Sequence, residues 1–321
     1  MAGLEWLGIE NLNESGQTNL QTLRYPKGSI LVIKRFLVAF ALLVLAASAH
    51  GGLIDPVIDD NELTATVEIG GLQAELTVRF ENAVGLTPSN LGISVHLLDP
   101  LAPEVLGRLP GTESLGSLSL GGVLNLVNDL VTVPAGFPVM VRIDPPTDSG
   151  LTFEGVVEVE IYTQVLHYEP GTALRLFKAP TGSGTFQDVT EEVSPGSIRT
   201  RSGGGHFSDF MIVRDLRAPA DVVDEKFDRL GDLLVSHAGQ IDASVYTGLA
   251  ALYVDAADAW SAGTPALADS LLDQFIADTE KAASEGDVPN VWRSARDLDN
   301  IDGELRSAAR TLRFSLGQVQ P

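Results

Sequence analysis

The feature that most constrains this chain is a change of periodicity at Leu216-Arg217-Ala218-Pro219. Before it, Val, Thr, Gly and Pro dominate and apolar residues recur every second position. After it, Ala, Leu and Asp dominate at helical spacing. Period two buries one face of a strand and period 3.6 one stripe of a helix, so the two halves need different architectures. The expected fold is an all-β antiparallel sandwich over 60–215 followed by an all-α helical bundle domain over 219–316.

In the first half, Leu63–Ile69 and Ala74–Phe80 alternate on either side of Gly70-Gly71, which reads as a hairpin. Further strands are expected at Leu91–Leu98, Val131–Val133, Phe137–Ile143, Leu151–Phe153, Val156–Tyr162, Ala173–Phe177, Ser197–Thr200 and His206–Val213. Turn residues such as Asp144-Pro145-Pro146 and Ser194-Pro195-Gly196 separate them. No long helical segments intervene, which excludes a doubly wound parallel sheet. Leu106–Leu130 is long for a hairpin connection and is expected to form a short helix or irregular loop over an open end of the sandwich.

Four helices are expected in the second half. The first, Ala220–His237, carries Val223, Phe227, Leu230 and Leu234 on one face. The second runs Ala243–Ala262, and the third opens with Thr264 as N-cap and Pro265, presents Leu267, Leu271 and Phe275, and ends near Gly286. The fourth, Pro289–Phe314, is read from Trp292, Ala295, Leu298, Ile301, Leu305 and Leu312.

The amino-terminal 49 residues read differently. Lys34-Arg35, an uncharged apolar run over 36–47 and Ala47-Ser48-Ala49 have the order of a secretory signal, with cleavage expected after Ala49. Residues 36–54 are uncharged and just reach spanning length, but Asp55, Asp59, Asp60 and Glu62 follow where a stop-transfer helix carries bases. Residues 1–30 have no apolar face, and initiation near Leu31, Val32 or Ile33 is the expectation. The mature protein is expected to be secreted or periplasmic and monomeric, with no membrane insertion after cleavage.

Charge and cysteine content then exclude whole classes of function. Removing residues 1–49 leaves 17 basic against 40 acidic residues, a net charge near −23. Such a chain is a poor ligand for nucleic acid or anionic lipid, whose recognition rests on Lys and Arg. The chain has no cysteine, which excludes disulfides, thiolate metal sites and thiol catalysis.

Candidate chemistry is sparse. Asp55, Asp59, Asp60 and Glu62 have the hard oxygen ligands that calcium takes, but lack the spacing of an EF-hand loop, and residues 50–59 read better as a solvated linker. The five histidines, His50, His96, His167, His206 and His237, form no zinc motif. Gly182-Ser-Gly184 and Gly203-Gly-Gly205 lack the Lys-Ser/Thr end of a phosphate loop and read as turns. A hydrolase acting on polysaccharide or peptide needs paired carboxylates; Glu154, Glu158 and Glu160 are nameable candidates, and the exposed face of a sheet explains them equally well.

Three resemblances add to this reading. His206-Phe207-Ser208 resembles the site at which some self-cleaving β domains, including nuclear pore and ZU5-type domains, cut between Phe and Ser. That resemblance implies that Ser208 Oγ attacks the Phe207 carbonyl while His206 assists proton transfer, and that the ester then hydrolyses. Gly184-Thr-Phe-Gln-Asp-Val-Thr190 with Gly205-His-Phe-Ser-Asp-Phe210 is similar to the ending of many exported sandwich domains that are not proteases, where His206–Val213 is simply the final strand. Leu267–Ala277, with Phe275-Ile276, resembles the small helical FIMAH-type module of exported bacterial proteins, which implies accessory or surface-associated work without catalytic residues. The sequence therefore points to a non-enzymatic exported protein that binds an extracellular or periplasmic protein or glycan, with no cofactor.

Overall fold

The computed structural model describes residues 50–110 and 131–319. The expected signal segment, the residues before it and most of the 106–130 connection lie outside the described residues. The described chain belongs to one compact unit that spans Ser48–Pro321.

Strand β1 (His50–Asp59), β2 (Glu62–Ile69) and β3 (Leu72–Val84) open the sheet. Residues 50–59, expected as a linker, are thus a strand, bulged between Ile54 and Val57 with Asp55 in the left-handed region. Their side chains do not alternate cleanly in hydrophobicity, so the sequence pattern missed them. The β2–β3 hairpin is as expected. Gly70 and Gly71 both have positive φ, and Ile69 pairs with Leu72 across that two-residue turn.

Helix α1 (Pro88–Leu91), β4 (Ile93–Leu97) and helix α2 (Pro103–Leu106) follow. Then come β5 (Val131–Thr132), β6 (Val139–Ile143), β7 (Thr152–Thr163), β8 (Leu174–Ala179), β9 (Gln187–Asp188), β10 (Glu192–Ser194), β11 (Ile198–Gly204) and β12 (Asp209–Asp215). Two strands expected on either side of residues 154–155 are one long β7, bent at Gly155, whose φ is positive. Gly203 and Gly204, read as a turn, lie within β11. His206, Phe207 and Ser208 precede β12 rather than forming part of it.

The described strands form one large antiparallel sheet, curled into a half-barrel, in the order β10-β11-β7-β3-β2-β1-β4-β6-β12-β8-β9. Strand β1 is the hinge of the curl. It pairs with β2 along 52–59 and with β4 at 50–51. The curl lets residues of both arms share one core, in which Leu63, Leu76 and Val78 meet Val95, Val141 and Ile212.

Four helices follow: α3 (Pro219–Ser236), α4 (Ala243–Ser261), α5 (Pro265–Glu285) and, after β13 (Val291–Arg293), α6 (Ile301–Val319). The first three agree with the periodicity. Thr264 does not cap α5 with its side chain, however; its hydroxyl donates to Ala259 O at 2.7 Å. Leu267 is exposed, and Ala268, Leu272, Phe275 and Ile276 form the buried stripe instead.

The fourth helix differs most from expectation. Residues 291–293 return to the sheet and pair with β7 as β13, Trp292 facing Phe153. Trp292 stacks in an aromatic cluster with Phe80, Phe153 and Phe207 at centroid separations of 5.1–6.0 Å. Burial of that large apolar surface outweighs a three-residue spacing that mimics a helix.

Helix α6 is buried almost all round. Ile301, Leu305, Ala309, Leu312 and Leu316 face the other helices, while Gly303, Arg306 and Ser307 face the sheet. A Cβ on Gly303 would lie 2.8 Å from Gly155 O and from Gly205 Cα; one on Gly205 would lie 2.3 Å from Asn300 O. Asn300 accepts from Gly303 N at 2.9 Å, capping the first turn, and its amide donates to Gly155 O. Arg306, 2% exposed, clasps Asp302 at 2.6–2.8 Å and Glu81 of β3 at 2.7–2.9 Å.

These contacts predict a contrast between two substitutions. Gly205→Ala should lose about 1–3 kcal/mol through overpacking, whereas Gly239→Ala, whose Cβ would meet nothing within 4 Å, should stay within about 0.5 kcal/mol of the parent. Urea unfolding midpoints check both; equal midpoints would show that the helix does not press on the sheet at Gly205.

Candidate functional site

The charged residues of the described chain mostly close the fold. Asp209, with no exposed surface, accepts from Arg142 Nε at 2.7 Å, Arg108 Nη1 at 3.2 Å and Gly182 N at 2.9 Å. Burial opposes its ionisation, yet the Arg142 hydrogen bond and the other donors hold its carboxyl below the usual range. Asp188 accepts from Thr190 at 2.6 Å and pairs with the buried Lys226 of α3 at 2.9 Å. The sequence pattern around Asp188 and Asp209 is accounted for by these two clamps.

The carboxylates named as hydrolase candidates are similarly occupied. Glu154 accepts from Asn82 at 3.0 Å, Glu158 pairs with Arg79 at 3.3 Å and Glu160 with Arg199. His167 is exposed and borders a cavity of about 320 Å³ with Glu169 and Arg214. In the calcium candidate, Glu62 is held by Arg79 at 2.7 Å, Asp55 sits in the β1 bulge and Asp60 in the β1–β2 turn. Among the described residues, no group of three or more His, Asp or Glu converges as a metal site.

Polar groups do converge where α3 and α6 cover the edge of β8 and the loop before β12. Here His206 Nδ1 lies 2.9 Å from Glu304 Oε1, and His237 Nε2 lies 3.4 Å from Glu304 Oε2. Nothing in the spacing of His206 and His237 points to one shared carboxylate. Lys178 of β8 is 8% exposed and donates to His206 O at 3.2 Å. Neither Lys178 nor Arg229 of α3 is ion-paired with a carboxylate among the described residues.

The proton affinities follow from this crowding. Burial, reinforced by Arg229, brings the Lys178 amine down to about 8. Lys178 and burial also lower the His206 imidazole, whose Nδ1 faces the Glu304 carboxylate. Burial works against the Glu304 charge, but the His206 hydrogen bond, Lys178 and His237 hold that carboxyl down to about 2. Glu191 accepts from Gly203 N at 2.7 Å and is pushed by burial up to about 7.

Two spaces adjoin this cluster. An outer cleft of about 570 Å³ runs between α3 and the β8–β9 side of the sheet, with Lys178, His206 and Arg229 in its walls beside three carboxylates of α3, Glu225, Asp228 and Asp232. An inner cavity of about 40 Å³ is bounded by Lys178, His206, Arg229, Glu304, Ser307 and Gly204. Ser208 Oγ donates to Phe207 O at 2.6 Å, while His206 is turned to Glu304 and Phe207 is fixed in the aromatic core.

A curled antiparallel sheet whose edge cleft is roofed by a helix defines the class of protein. Within it, this chain belongs to the DUF6689 family, a family of unknown function, whose model matches residues 39–320. No curated protein and no solved structure matches the chain.

Glu304 gives a pH test. Its folded value of about 2 lies below its ordinary 4.5, so its contribution is fully present above pH 4.5 and is lost as pH falls toward 2. The depression corresponds to about 3 kcal/mol at most. Glu304→Gln should therefore flatten the rise of stability between pH 2 and 4.5; urea midpoints that rise as steeply in the variant would refute the assignment.

Proposed function

We propose that the mature chain is an exported, non-enzymatic binding or envelope-associated protein, and that the cleft between α3 and the β8–β9 side of the sheet receives its ligand. The localisation is secreted or periplasmic, following the signal-like segment at 34–49. Among the described residues, no helix is long and apolar enough to cross a membrane. In this reading the two arms of the sheet act as the faces of a sandwich, and the helices act as an accessory bundle of the FIMAH kind.

One observation carries the proposal. In a chain with 43 acidic and only 21 basic residues, Lys178 and Arg229 face one cleft without a carboxylate partner among the described residues. Cations kept unpaired in an acidic protein favour an anionic group on the partner, a glycan or protein. The full-length chain, expressed with its own leader and recovered from the periplasm or medium, should bind a subset of acidic glycans or peptides on an array. Arg229→Glu should weaken that binding at least about tenfold, the effect of losing a charge-assisted contact. Binding indifferent to Arg229→Glu, or release of cleaved sugar or peptide, would overturn the proposal.

Self-cleavage is the second reading, resting on the His206-Phe207-Ser208 resemblance, with the Ser208 hydroxyl beside the Phe207 carbonyl. Intact-mass measurement separates the two. A single mature mass supports the binding protein; fragments divided between Phe207 and Ser208 support the self-cleaving domain.

A further inference from the structure

We infer that the inner cavity beneath the cleft is a carboxylate-binding subsite, formed by Lys178 Nζ, the Arg229 guanidinium and the Ser307 hydroxyl. The inference rests on the binding reading above and names the chemical group that the ligand presents there.

Three observations support it. First, Ser307 is 5% exposed, borders the cavity, and its Oγ has no hydrogen-bond partner among the described residues. A buried hydroxyl without a partner costs about 1–3 kcal/mol, which an occupant of the cavity relieves. Second, donors outnumber acceptors. Lys178 carries three N–H groups and directs one hydrogen bond to His206 O, while Arg229 makes no hydrogen bond to a described residue. Glu304, the acceptor in the same wall, already receives His206 and His237 on its two oxygens. Third, the cavity and the cleft share Lys178, His206, Arg229 and Leu233, so a group carried by a ligand in the cleft can enter.

Charge and size select among anions. Lys178 and Arg229 exceed Glu304 by one positive charge; of the other carboxylates near them, Asp188 pairs with Lys226, Glu225 with Arg217, and Glu191 accepts from Gly203 N with Arg310 nearby. One net positive charge matches a monoanion. A cavity as small as this, about 40 Å³, favours a small planar carboxylate over a tetrahedral phosphate. The lowered Lys178 amine agrees with an amine whose anion is missing.

Sodium formate, sodium acetate and inorganic phosphate, titrated into the full chain at matched ionic strength, test this. The lysine amines are followed by NMR and the Lys178 signal is assigned with Lys178→Met. Formate and acetate should shift that signal saturably and raise its titration midpoint from about 8 toward the ordinary 10.5. Ser307→Ala, which removes only the unpartnered hydroxyl and should fold normally, should weaken acetate at least about threefold, as expected for one lost neutral hydrogen bond. Absence of a saturable shift, an unchanged affinity in Ser307→Ala, or equal saturation by phosphate would overturn the subsite. Should carboxylates fail while array binding still depends on Arg229, the subsite falls and the cleft stands. Loss of the array result alone removes the binding reading.

Discussion

The close seat of α6 on the sheet is the contact on which the rest of the structure depends. It is possible because Gly155, Gly205 and Gly303 leave no Cβ between the helix and the strands. Close approach alone would leave polar backbone buried, and Asn300 answers this by capping α6 and donating to the carbonyl of the β7 bulge. Arg306 then fixes the register through Asp302 and Glu81. Breaking such a buried ion group by removing one partner is costly, so the contact holds its geometry.

Function is positioned by the same contact. With α6 pressed against β11, Glu304 and Ser307 arrive beside Gly203–Gly205, and α3, packed on α6, brings Arg229 over Lys178. An acidic chain of this kind spends most of its cations on closure, as Arg142, Arg108 and Lys226 show with Asp209 and Asp188. Lys178 and Arg229 are among the cations that make no ion pair with a described carboxylate, and these two share one space.

Much of the architecture was legible in the sequence because side-chain period is a local property. The β2–β3 hairpin follows from alternation around Gly70-Gly71, and α3 and α4 follow from apolar residues three and four apart. Misreadings arose where distant chain segments decide. Trp292 sits at helical spacing, yet a vacant stretch of β7 and three phenylalanines recruit it into the sheet. Residues 50–59 looked like a solvated linker because a strand that joins two arms need not alternate. Gly203–Gly205 looked like a turn because glycine signals both turns and close helix approach. The site itself was the least legible part, since Lys178, His206, Arg229 and Glu304 come from four separated segments, and of these only His206 carried a motif.

If α6 joins sheet and helices as described, the two must unfold together. Trp292 reports on the sheet's aromatic core, and Trp260, hydrogen-bonded to Asp224 at 2.6 Å, reports on the α3–α4 pair. Urea unfolding of Trp6→Phe chains that retain one or the other tryptophan, through Trp260→Phe or Trp292→Phe, compares them directly, once each is referenced to its own far-UV circular dichroism transition. The account predicts that fluorescence and circular dichroism coincide in both chains. A Trp260 signal lost at lower urea than the β signal, with the sheet still folded, would contradict it.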